Sequence, residues 1–172
     1  MPPRVHFTIW LACLEKLKTG DFLVEKGLLD TRQATCPFCN GEIESNSHVL
    51  FTCHFSWCLC MKVLDWWGIS GVLPMQCAPF AMAWKHLAPK RGRGKVWNLI
   101  WGCTIWSLWF ERNKIKFEND TLDAGYLFYT LKIRVGIWVK ELLGLDLLST
   151  TAMGTVAPPS HVVGVPLRSL IG

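Results

Sequence analysis

A chain of 172 residues, 51% hydrophobic and holding ten tryptophans, is long enough for one domain, or for one small domain with an accessory segment, and has ample side chains for a core. Its formal net charge of +5 is mild and comes without a long basic block, so charge alone does not establish nucleic-acid binding. Eight cysteines would suit a secreted disulfide framework, but the N-terminus MPPRVHFTIW has no basic region leading into an apolar stretch and a cleavage site, so an intracellular, reducing compartment, nuclear or cytoplasmic, is expected.

From Val5 to Leu17 the apolar residues Phe7, Ile9, Trp10, Cys13, Leu14 and Leu17 fall mostly at helical spacing, and Glu15, Lys16 and Lys18 open the other side. The pattern predicts an amphipathic helix starting after Pro2-Pro3. Thr19 reads as the N-cap of a short helix from Gly20 to Lys26, with Gly27 as its stop. Both helices are expected to pack against the segment that follows.

That segment, TCPFCNGEIESNSHVLFTCHFSWCLC, holds Cys36, Cys39, His48 and Cys53 at the spacing C-x2-C-x8-H-x4-C. Two cysteines two residues apart on a tight turn can reach one small ion, and Pro37-Phe38 and Asn40-Gly41 are turn material. Ser45 or Ser47 can cap a helix starting near His48, which puts the imidazole in its first turn and Cys53 about a turn and a half later. Three thiolates and one imidazole make a closed Cys3His set, so the expected cofactor is one structural zinc ion rather than a catalytic one. His54, Cys58 and Cys60 stay open as alternatives for the fourth place. The remaining cysteines, Cys13, Cys58, Cys60, Cys77 and Cys103, share no spacing and read as buried free thiols.

After Cys53, Phe55, Leu59, Val63 and Trp66 mark a further helix that ends at Gly68. These aromatic residues serve core packing more often than base stacking. GISGVLPMQCAP reads as a linker, and a short helix from Phe80 to Leu87 leads into APKRGRGK, whose Lys90, Arg91, Arg93 and Lys95 suit phosphate contacts on a flexible backbone or simply a solvated loop.

The next stretch, from about Lys95 to Asn119, contains an apolar run short of the roughly 20 residues that span a bilayer, so no membrane span is expected. Trp97, Ile100, Trp101, Ile105, Leu108 and Trp109 instead predict a helix apolar over most of its surface, in need of partners on several sides. A helix from about Asp123 to Leu143, carrying Leu127, Leu131, Val135, Trp138 and Leu142, can supply one of them. Beyond Leu148 the period is lost and proline, glycine and serine rise, as in a disordered tail.

The expected fold is mainly α: a small zinc-knuckle hairpin on short helices over residues 1–67, a linker with a short helix and basic loop over 68–94, a Trp-rich helical hairpin over 95–148, and the tail at 149–172.

The stretches PPRVHFTIWLACLEKLKTGDFLVEKG and CPFCNGEIESNSHVLFTC resemble the zinc-binding domain found after the reverse transcriptase of plant LINE-type (non-LTR) retrotransposons. The resemblance runs through Pro3, Arg4, Val5, Phe7, Trp10, Leu17, Thr19, Leu23, Lys26, Gly27, Cys36, Cys39, Glu44, Ser45, His48, Phe51 and Cys53, and departs at Lys18 and Val49, neither of them a ligand. IWSLWFERNKIKF, residues 105–117, is similar to the Trp-x-x-Trp-x-x-Arg-Asn-x-x-x-Phe region that follows this domain in such elements. The resemblance favours Cys53 as fourth ligand. It implies a non-catalytic module of a retrotransposon polyprotein that assists RNA or DNA binding beside the polymerase, with Lys90, Arg91, Arg93 and Lys95 as phosphate contacts.

No segment resembles the polymerase or the RNase H of those elements, and Asp21, Asp30, Asp65, Asp120, Asp123 and Asp146 are too scattered to hold a pair of magnesium ions, so neither activity is expected. A protein-interaction module that docks on other domains of the polyprotein is the alternative. A zinc hydrolase would need an open ligand position and a base, for which only Glu42 and Glu44 are close in sequence.

Overall fold

The computed structural model describes residues 1–71, 73–74, 77–87 and 94–144. Among them the chain is mainly helical: α1 (Pro3–Cys13), α2 (Gly20–Glu25), a 3-10 turn (Thr31–Gln33), a π-turn (His48–Thr52), α3 (His54–Trp66), α4 (Cys77–His86), α5 (Gly94–Glu118) and α6 (Ala124–Leu143). The described residues form no strand, and their one β-bridge, Thr35 with Ile43, closes a hairpin around Cys36 and Cys39. No described helix is long and apolar enough to cross a membrane. The tail at 149–172 lies outside the described residues.

Local signals account for the helix ends. Gly27 takes φ +68 after α2, where its N–H donates to Val24 O and that of Leu28 to Leu23 O, the paired bonds that close a helix on a left-handed residue. Gly68 ends α3 in the same way, with φ +61 and donation from Gly68 to Asp65 O and from Ile69 to Leu64 O. Asp123 caps α6 by accepting from Tyr126 N–H at 2.9 Å. Helix α4 starts at Cys77, three residues before the expected Phe80, because Pro79 falls in its first turn, where a missing N–H costs nothing.

The first helix buries a different face from the expected one. Val5, Thr8, Ile9 and Ala12 point inward, while Phe7 and Trp10 are 58% and 56% exposed and Leu14 also faces solvent. That face meets α5, where the Met1 and Ile9 side chains fill the space beside Gly102: a Cβ there would collide with Met1 Sδ and lie 3.3 Å from Ile9 Cδ1. Cys13, next along α1 from Ala12, is carried to the exposed side; of the non-ligand cysteines described, Cys60 and Cys103 are buried and Cys58 is half-buried.

One core runs through the molecule. Leu59 and Val63 of α3, Trp97, Ile100, Ile105 and Leu108 of α5, and Leu127, Leu131, Val135 and Trp138 of α6 belong to the same buried cluster as Val5, Leu50 and Phe51. Trp84 and Trp97 join α4 to α5: their rings stack at 4.4 Å, Trp84 Nε1 donates to Trp97 O at 3.1 Å, and Trp97 Nε1 donates to Trp84 O at 2.6 Å. The reciprocal bonds satisfy both buried indoles, which is what lets such large side chains lie fully inside.

Candidate metal centre

Cys36 and Cys39 sit on the hairpin. Cys36 N–H donates to Glu42 O at 2.8 Å, Asn40 N–H reaches back to Cys36 O at 2.8 Å, and Asn40 takes the left-handed φ of +55 that asparagine tolerates. His48 and Cys53 come from the turn that follows. Ser45 Oγ accepts from His48 N–H at 3.0 Å, as a capping serine does, but the segment winds as a π-turn: Cys53 N–H bonds back five residues to His48 O at 2.8 Å. The wider turn brings the Cys53 sulfur round toward the imidazole. Ser56 Oγ donates to Val49 O at 2.6 Å and so satisfies a carbonyl within this turn.

The ligand atoms of Cys36, Cys39, His48 and Cys53 all lie within 4.8 Å of one another. Cys36 Sγ is 3.9 Å from Cys53 Sγ, and Cys39 Sγ is 3.4 Å from His48 Nε2. A tetrahedral zinc ion with its usual bond lengths separates sulfur from sulfur by about 3.8 Å and sulfur from imidazole nitrogen by about 3.6 Å, so the spacing fits.

The surroundings fit as well. His48 turns Nδ1 toward Glu42 Oε2 at 3.1 Å, which holds the ring proton on Nδ1 and leaves the Nε2 lone pair for the metal. Backbone N–H groups of Cys39 and Phe38 face the Cys36 sulfur, and those of Phe55 and Ser56, at the start of α3, face the Cys53 sulfur; each favours a thiolate. Contact with Cys53, then burial, pushes the Cys36 thiol up, while the same contact holds Cys53 below the ordinary thiol value. Two thiolates this close repel, and a divalent cation between them removes the repulsion. Cys36, Cys39, His48 and Cys53 therefore form a zinc-binding group of tetrahedral type, filled by four protein ligands.

The rival ligands lie elsewhere. His54 is exposed on α3 beside Cys58, with Sγ 3.6 Å from Nε2, and Cys60 is buried in the core. Of the four expected phosphate contacts, Lys95 is exposed in the first turn of α5, and Lys90, Arg91 and Arg93 lie outside the described residues.

Residues 1–59 match the family model described as zinc-binding in reverse transcriptase. That family is a zinc-binding, accessory part of reverse transcriptases rather than their catalytic part. No curated protein and no solved structure matches the chain.

Four residues before His48, the chain is also tied to residues far along the sequence. Glu44, four residues before His48, is 0% exposed, and its carboxylate meets Arg112 of α5, itself 1% exposed. Arg112 donates from Nε to Oε1 and from a terminal nitrogen to Oε2 at 2.7 Å, a two-point grip; Lys116 Nζ lies 3.1 Å from Oε2, and Gly20 N–H donates to the same oxygen at 2.9 Å. Arg112 also donates to Lys18 O and to Asn113 Oδ1, and its guanidinium lies 4.7 Å from the Trp109 ring centroid. Glu44, enclosed by cations, is not available as a general base. Sequence periodicity missed this pairing, although one signal was present: Arg112 continues the buried line of Trp97, Ile105 and Leu108, and a charge on a core stripe requires a buried partner.

Proposed function

We propose that the chain acts as the non-catalytic, zinc-stabilised module of a reverse transcriptase from a plant LINE-type retrotransposon, where it helps hold RNA or DNA beside the polymerase. The observation that carries the reading is the closed Cys3His group within the residues that match the reverse-transcriptase zinc-binding family. Four protein ligands leave no place for a substrate, so zinc serves there as a folding element. Net charge of +5 and the cluster Lys90, Arg91, Arg93 and Lys95 support phosphate contact, with the zinc hairpin as rigid support.

The test is a titration of labelled single-stranded RNA and of duplex DNA by the zinc-loaded chain at several salt concentrations. Replacing the four cations with glutamine lowers the slope of log affinity against log salt by roughly 0.7 to 0.9 per lost phosphate contact. Binding that ignores salt, or a slope unchanged by the four replacements, overturns the assignment.

A second reading, docking on other domains of the same polyprotein, is favoured by one observation. Phe7, Trp10 and Leu14 form an exposed apolar stripe along α1, with the Phe7 and Trp10 rings 5.8 Å apart.

A further inference from the structure

Helix α3 carries a second set of metal-binding side chains on its solvent side. His54, Cys58 and Met61 stand at i, i+4 and i+7, a spacing that lines them up along one side of a helix. Ser56, Leu59, Cys60, Val63 and Leu64 turn into the core, whereas His54 and Met61 are exposed and Cys58 is half-buried. His54 and Cys58 are not members of the Cys3His group.

Cys58 Sγ lies 3.6 Å from His54 Nε2 and 3.9 Å from Nδ1. Sulfur and imidazole nitrogen bound to one metal ion stand about 3.6 Å apart, so the pair is already at the separation of two ligands. Helical side chains lean toward the N-terminus of their helix, and the Met61 thioether, three residues beyond Cys58, can therefore reach back toward its sulfur. Lys62 and Asp65, both exposed further along the helix, bring charges of opposite sign and leave no net repulsion of a cation.

The donor types select the ion. Calcium and magnesium take oxygen ligands, and zinc takes thiolate, imidazole and carboxylate. A thioether beside a thiolate and an imidazole suits the softer copper(I). We propose that His54, Cys58 and Met61 form a surface site for one copper(I) ion, the Cys58 thiol giving its proton to water as the sulfur binds. Three donors from one helix face leave the ion open on its outer side, so this copper is exchangeable where the enclosed zinc is structural. The proposal does not depend on nucleic-acid binding.

The test is an anaerobic titration of the zinc-loaded chain with copper(I) against bicinchoninate, whose coloured copper complex reports the ion not taken by the protein. Metal analysis after gel filtration gives copper and zinc per chain, and 13C-methyl NMR follows the methionines. The expected result is copper taken up with zinc retained, and a shifted Met61 methyl resonance. Affinity should fall about tenfold or more in Met61→Leu and further in Cys58→Ser, since each variant loses a ligand. Zinc content and circular dichroism establish that both variants are folded. Copper that enters only by displacing zinc, a Met61 methyl unmoved at saturation, or a folded Cys58→Ser chain that binds copper unchanged would each overturn the proposal.

Discussion

Replacing Arg112 with alanine removes the chief partner of a carboxylate that is 0% exposed. Breaking a buried pair from one side typically costs about 3–5 kcal/mol, because the remaining charge stays desolvated. Two features place Arg112→Ala toward the lower end: Lys116 Nζ stays 3.1 Å from Glu44 Oε2, and Gly20 N–H still donates to that oxygen. Loss of the guanidinium from the Trp109 face adds about 0.5–2 kcal/mol. Lys116→Ala is the control; its side chain is 19% exposed, and its loss should cost about 1 kcal/mol or less. Converting Glu44 and Arg112 together to leucine and methionine removes both charges of the pair but leaves the Gly20 N–H and Lys116 without an acceptor, so the double variant should recover part of the loss and be less destabilised than the sum of the singles. Urea unfolding of the zinc-loaded chain, followed by circular dichroism and tryptophan fluorescence, measures these differences, and zinc transfer to a chromogenic chelator reports whether the metal loop loosens. Equal, small effects of Arg112→Ala and Lys116→Ala, or strict additivity in the double variant, would refute the reasoning.

Three further outcomes follow from the same geometry. Gly20→Ala would set a Cβ 2.7 Å from Ala34 O and 2.9 Å from Ala34 Cα, backbone atoms that cannot swing aside, so urea titration should show a loss of about 1–3 kcal/mol. Chelation of the zinc-loaded chain should remove folding free energy on the order of 10 kcal/mol and with it helicity around residues 1–59, read by circular dichroism, while a Cys36→Ser, Cys39→Ser double variant should start without zinc. Burial pushes the thiols of Cys60 and Cys103 up to about 12, so iodoacetamide mapped by mass spectrometry should label exposed Cys13 first, leave those two unmodified, and reach Cys39 only after chelation.

Much of the helix pattern was legible because its determinants are local. The stop at Gly27, the stop at Gly68 and the cap at Asp123 each act within one turn of the chain, while Thr19 stands at the N-cap position of α2 with its hydroxyl turned to Asp21 Oδ1 rather than to a backbone N–H. The metal group was legible for the same reason, since a C-x2-C turn and a His and Cys five residues apart are constrained by the ion they share. The π-turn was not. Its extra residue adjusts where Cys53 points, a need set by the ligand geometry rather than by the propensities of His48–Thr52. The face that α1 buries was also hidden: hydrophobicity ranks Phe7 and Trp10 above Thr8 and Ala12, yet Val5, Thr8, Ile9 and Ala12 are the residues that turn inward.

Glu44 and Arg112 show the deeper limit of reading along a chain. Each is ordinary in its own neighbourhood, a carboxylate after a knuckle and a cation near the end of an apolar helix, and they meet across 68 positions of sequence. Apolar side chains of similar volume often replace a buried ion pair at little cost, but here they would leave the Gly20 N–H and Lys116 without their acceptor. What two hydrogen bonds from a planar fork supply is direction: a carboxylate with no exposure is satisfied only when α5 presents Arg112 at one rotation and one height. The same carboxylate takes the Gly20 N–H at the start of α2, and its backbone N–H donates to Ala34 O beside the hairpin. The family match ends at residue 59, yet the side chain that neutralises Glu44 is Arg112. A chain cut after residue 59 would therefore keep all four zinc ligands while leaving Glu44 without the cations that its burial requires.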